Sequence, residues 1–146
     1  MSVRTFAMVL GVAFLLVGIL GFVPAALTNR GAGDHVLHVR AFEGYLLGLF
    51  HVNVLHSAVH LLFGVMGILM SRSFDAARTY CRIVAVAYGL LTIMGLIPRL
   101  NTVFGLIPIH GHDVWLHGVI AIVAAYFGFA GRREVATAGT TVTTTP

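Results

Sequence analysis

Between Asn53 and Gly67 the polar and small residues fall at 53, 56, 60, 64 and 67, inside an otherwise apolar run that reaches Met70. Steps of three and four residues draw a single stripe on an α-helix. The pattern therefore predicts a helix with Asn53, His56 and His60 on one face, continued by Gly64 and Gly67. The same order returns 57 positions later as His110, Asp113, His117, Ala121 and Ala124. A second echo links Leu20-Gly-Phe-Val-Pro24 to Met94-Gly-Leu-Ile-Pro98, offset by 74, so that Gly11, Gly18 and Gly21 correspond to Ala85, Thr92 and Gly95. The two offsets predict an all-α chain of two tandem helical hairpins, covering residues 6–70 and 79–130.

The apolar runs span about residues 6–27, 42–70, 83–98 and 114–130. Crossing the hydrocarbon takes about 20 residues, so the expected fold is four transmembrane helices in one domain, 1–130. Both hairpins would run the same way through the bilayer, a parallel repeat. A pseudo-two-fold axis along the membrane normal would then set the second and fourth helices face to face. The first run, ending in Pro24-Ala-Ala26, also has the outline of a secretory signal. Its likeness to the 94–98 segment argues for a retained helix.

Composition supports lipid as the solvent. Only 10% of the residues are charged and 58% are hydrophobic, against about a quarter charged in soluble domains. Mean hydropathy is +0.95. All nine basic residues are Arg, and they sit at the ends of the apolar runs. Their basic pI therefore implies membrane-edge placement and excludes a nucleic-acid surface. Arg4, Arg72, Arg78, Arg82, Arg132 and Arg133 fall on one side, and Arg30, Arg40 and Arg99 on the other. The positive-inside rule puts both termini in the cytoplasm and the start of each polar stripe outside.

Other details complete the expected layout. Residues 28–41 form an outer loop with Asn29, Arg30, Asp34, His35 and His38. Gly44 to Asn53 continues the second helix outward. Asp75 caps the third helix. Tyr80 and Tyr126 mark the inner interface, and Tyr45 and Trp115 the outer one. Residues 99–112 are too broken by Gly and Pro to span, and suit an interfacial or re-entrant segment covered by protein. Residues 131–146 form a Thr-rich tail of low complexity. The lone Cys81 excludes an internal disulfide and reads as a small packing residue.

The segments Gly-Leu-Phe-His-Val-Asn-Val-Leu-His-Ser-Ala-Val-His-Leu-Leu-Phe-Gly (48–64), Gly-Leu-Ile-Pro-Arg-Leu-Asn-Thr-Val-Phe-Gly-Leu-Ile-Pro (95–108) and Asp113-Val-Trp-Leu-His117 resemble the signature of a family of small bacterial four-helix membrane proteins. That family is domain of unknown function 4383. The resemblance covers about residues 5–130 and implies a multi-pass protein of the bacterial cytoplasmic membrane. It brings no activity with it. His110 stands where the family pattern has Asn.

Three roles fit the stripes. Asn53, His56, His60, His110, Asp113 and His117 can form a hydrogen-bonded clamp between helices, since lipid offers helices no hydrophobic drive to associate. The protein would then be a non-enzymatic structural or accessory subunit, joined to other membrane subunits or to itself. Alternatively His56, His60, Asp113 and His117 can hold a transition metal, because imidazole with a carboxylate suits Zn²⁺, Fe²⁺ or Cu²⁺. In a variant of that reading, His60 and His117 are the axial ligands of a haem. Proton or solute passage is the third role, opposed by the apolar Gly64, Gly67, Ala121 and Ala124 beyond the His residues. His35, His38, His51 and His112 read as outer-surface residues, with a secondary metal site as the alternative. No nucleophile triad, phosphate loop or paired catalytic carboxylates stand out.

Overall fold

The computed structural model describes residues 1–28 and 37–131. The outer-loop residues Asn29, Arg30, Asp34 and His35 and the tail 132–146, with Arg132 and Arg133, lie outside them. Four helices are present among the described residues: α1 (Val3–Leu20), α2 (Val54–Met70), α3 (Phe74–Leu96) and α4 (His112–Ala125). The last continues as one wider π-helical turn, Tyr126–Ala130. Three segments are long and apolar enough to cross a membrane: Val3–Leu20, Phe74–Leu96 and His112–Ala130; α2 is shorter, at 17 residues. Leu16, Leu62, Leu69, Val86, Leu90, Ile93 and Ile122 all point outward and stay exposed. Such continuous apolar surface would be costly in water and is what a lipid-facing wall looks like.

α1 packs along α2, and α3 along α4. Glycine permits the first contact. A Cβ on Gly64 would stand 2.6 Å from the Leu15 nitrogen, and one on Gly11 would stand 2.9 Å from the Gly64 oxygen. The second is looser at Gly118, 3.5 Å from Thr92 by the same measure, and tightens at its ends, where Gly95 stands 2.9 Å from Val114 and Gly128 3.0 Å from the Arg82 nitrogen. Arginines tie off the ends. Arg4 Nε donates to the Ser71 carbonyl, joining the start of α1 to the end of α2. Arg78 and Arg82 donate to the Gly128 carbonyl, joining α3 to the end of α4. The hairpins meet through a core of Phe6, Ala7, Phe14, Tyr80, Cys81, Val84, Tyr88 and Ala124. Phe14 and Tyr88 stack at its centre, with centroids 5.1 Å apart.

Several local expectations are revised. Gly44 to Val52 is not helical. It forms β2 (Gly44–Leu46) and β3 (Phe50–Val52), with β1 (Leu27–Thr28) on the far edge of an antiparallel β1-β2-β3 sheet. Leu47 and Gly48 take φ values of 51° and 71° between β2 and β3, a twist suited to a tight antiparallel turn but not to a helix. Asn53 is extended and is the N-cap of α2, so it precedes the helix it seemed to belong to. α3 begins at Phe74, ahead of residue 79 where the expected second hairpin opens, and its early arginines reach the carbonyls of the α4 end. Its cap is Ser73, whose hydroxyl accepts from Ala76 N, while Asp75 lies in the first turn. Tyr80 is fully buried rather than interfacial, donating to the Phe63 carbonyl. Tyr126 and Trp115 are exposed, as belt residues should be.

The sheet and the 97–111 segment form a cap over one end of the helices. The latter is a chain of turns, with Ile109 N bonded to Asn101 O and His38 N to Gly105 O.

Candidate functional site: a buried histidine cluster under the cap

Asn53 positions the upper end of α2. Its Oδ1 accepts from His56 N, and its Nδ2 donates to the carbonyls of Val39 at 2.9 Å and Leu106 at 2.7 Å. One amide thus caps the helix and holds two cap segments over it. Because Asn53 is spent on backbone, it does not join the side chains below.

Those side chains converge. His56 and His60 are one turn apart on α2 and stack at 4.8 Å with planes 15° apart. His117 approaches from α4, its ring 6.2 Å from that of His56. One nitrogen from each of the three lies within 4.8 Å of the others. α2 and α4 therefore meet through imidazoles rather than along their backbones. Phe14 packs on His60 at 5.5 Å and Tyr88 on His117 at 4.9 Å, walling the cluster with aromatic carbon. The three rings are 3%, 9% and 2% exposed.

Hydrogen bonding in the cluster is incomplete. His60 Nδ1 donates to the His56 carbonyl at 3.1 Å, one turn back. That bond fixes the tautomer and leaves Nε2 of a neutral ring with a lone pair. The Nδ1 of His56 has no hydrogen-bond partner among the described residues. His117 Nδ1 and Asp113 Oδ2 are likewise buried and unpartnered, as is the Ser57 hydroxyl beside Gly21. Buried side-chain polar atoms normally find partners, and leaving one unpaired costs about 1–3 kcal/mol. Three of these four atoms belong to the His/Asp set. Asp113 is buried one turn above His117 but lies outside the group of converging nitrogens.

His110 precedes α4 and joins a different group. Its Nε2 lies 3.1 Å from His51 Nδ1, and His51 Nε2 lies 3.3 Å from Glu43 Oε1. Tyr45 stacks on His51 at 4.7 Å. His51 is buried, although its place near the outer end suggested a surface residue, and Glu43 is a member no sequence pattern singled out. Of the other surface histidines, His38 packs over Gly105, and His112 is exposed beside Phe50.

No match was found among curated proteins or among solved structures. The sequence profile described as Domain of unknown function (DUF4383) matches residues 4–130, and the chain belongs to that family.

Proposed function

We propose that this is a transition-metal-binding integral membrane protein whose ion is held by His56, His60 and His117, with Asp113 as fourth ligand. The carrying observation is the convergence of three buried imidazoles, one nitrogen of each within 4.8 Å of the others, in a cluster where His56 Nδ1 and His117 Nδ1 have no hydrogen-bond partner among the described residues. A clamp would satisfy its own donors and acceptors; this cluster leaves His56 Nδ1, His117 Nδ1 and Asp113 Oδ2 unpaired, the condition a bound cation corrects. The His60 bond to a backbone carbonyl is the outer-shell contact that orients metal-binding imidazoles. Zinc–nitrogen bonds of about 2.0–2.1 Å put tetrahedral ligands about 3.4 Å apart. Rotations of the side chains from their present spread of up to 4.8 Å would close that gap. A bare ion fits better than haem, because Phe14 and Tyr88 pack directly on His60 and His117, where a macrocycle would lie.

The tandem repeat supports this ligand set. Contacts recur at the two offsets: Arg4 on Ser71 O and Arg78 on Gly128 O, Gly18 on Leu61 and Thr92 on Gly118, Phe14 on His60 and Tyr88 on His117. Phe14 and Tyr88, themselves 74 apart, stack on each other as partners across a two-fold axis must. On that axis His60 pairs with His117 and His56 with Asp113. We take the domain as residues 1–130, all four helices as spanning the bacterial cytoplasmic membrane, both termini as cytoplasmic and the cap as extracytoplasmic, following the arginine asymmetry. A place as subunit of a larger assembly is compatible with this chemistry. Passage through the protein is opposed by the close contact of Gly64 and Gly67 with Leu15, Gly11 and Tyr80 beneath the cluster.

The test is elemental analysis and Co²⁺ titration of protein purified in mild detergent. About one equivalent with a tetrahedral ligand-field spectrum is expected, and His56→Asn with His60→Gln should abolish it while the fold survives. Wild-type protein that binds no ion, or a double variant that still binds one, would overturn the assignment.

A further inference from the structure

We infer that the Glu43–His51–His110 chain in the cap is the port through which the ion reaches the buried histidines; this rests on the metal reading above. A cation entering lipid depth must exchange its water for protein ligands in stages, because losing them at once is prohibitive. The cap supplies such stages. His112 is exposed, His110 half-buried and His51 buried, and His56 lies in the first turn of the helix that follows β3. The opposite approach is filled by the core, where Tyr80, Cys81, Val84 and Ala124 are fully buried and the Tyr80 hydroxyl stands against Gly67.

The chemistry of the chain suits capture. A carboxylate oxygen accepts, so His51 Nε2 donates to Glu43 Oε1, and Nδ1 of the same ring pairs with His110 Nε2. A carboxylate behind an imidazole raises its basicity and fixes its orientation, as it does for metal-binding histidines generally. Tyr45 stacked on the same ring holds its plane. Glu43 keeps 19% of its side chain open to the surroundings, with Arg40 Nε 3.9 Å away competing for the carboxylate. The residues that lead out of the chain lead to the ligands. His51 lies in β3, which runs straight into the Asn53 cap that holds His56 N, and His110 is three residues before Asp113.

A port differs from a ligand in acting on rate alone. Stopped-flow mixing of detergent-solubilised wild type, Glu43→Gln and His110→Asn with Co²⁺ separates the two. Loading at least tenfold slower in each variant, with unchanged stoichiometry and final spectrum, is the expected result. Rates within twofold of wild type, with the ion still bound, would overturn the port and leave the His56–His60–His117 site standing. A changed final spectrum would make these residues ligands or structural supports, and also overturns the port. Wild type that takes up no Co²⁺ removes the metal reading, and the port with it. Thermal midpoints measured on the same samples without metal show whether a slow variant is simply misfolded; His110→Gln then replaces any variant that is.

Discussion

The two hairpins make similar contacts at corresponding places but close by different means. In the first, Gly11, Gly64 and Gly67 let α1 and α2 approach until backbone meets backbone. In the second, Ala85, Ala121 and Ala124 stand at those positions, and the Gly118 contact with Thr92 is ordinary van der Waals packing. Toward the cap the difference becomes chemical: His56 against Asp113, Phe14 against Tyr88, an ordered sheet against a chain of turns. Packing below is a matter of volume, and at Gly11 and Gly64 a single Cβ would already meet backbone. Near the cap, the residues at the two offsets differ in the polar atoms they carry rather than in volume alone.

The strongest way to break the comparison is Gly64→Leu against Ala121→Leu. The first drives a side chain into the Leu15 backbone and should cost more than about 3 kcal/mol or abolish folding. The second, on a half-exposed position, should cost about 1 kcal/mol or less. Thermal unfolding in one detergent, followed by circular dichroism, measures both. Asn53→Ala comes next. It strands the Val39 and Leu106 carbonyls and removes the cap of α2, for an expected loss of about 2–3 kcal/mol. His110→Ala, 57 positions on, should cost less than Asn53→Ala, because the N-cap of α4 is Gly111 and not His110. Exchanging the mates, His56→Asp with Asp113→His, should keep about one equivalent of Co²⁺ with a shifted spectrum, whereas His56→Asp alone should weaken binding at least tenfold. Loss of binding in the exchanged variant would argue against an axis through the site. The smallest effect belongs to Tyr88→Phe, which copies Phe14: stability should change by less than about 1 kcal/mol, with Co²⁺ stoichiometry unchanged.

Hydrophobic patterning makes the helices legible. Helices α1 and α4 and the lower part of α2 follow directly from runs of apolar residues, and His56, His60 and His117 share a face because each lies inside a helix. Asn53 and His110 obey the same spacing, yet neither is helical. Periodicity carries no meaning past a cap, and Asn at the head of an apolar run is itself a cap signal. The β2–β3 turn was hidden because Leu47 and Phe50 are as apolar as helix residues, and only Gly48 hinted at positive φ. Arg78 and Arg82 obscured the start of α3, since hydropathy counts a guanidinium as solvent-seeking even when it is bonded to a neighbouring carbonyl. Glu43 was invisible for a plainer reason. Its partner His51 is eight residues away across a turn that no helical or alternating pattern predicts.

The brevity of α2 has a consequence for the surrounding bilayer. Seventeen residues at about 1.5 Å each extend about 26 Å, less than the roughly 30 Å of hydrocarbon in an average membrane. Phe42, Leu47, Leu49 and Phe104 are exposed on the cap and can lie among lipid chains to make up the difference. Part of the cap would then sit below the headgroups, where acyl-chain length decides how deeply it is immersed. A thin bilayer would lift the Glu43 rim into water, and a thick one would submerge it.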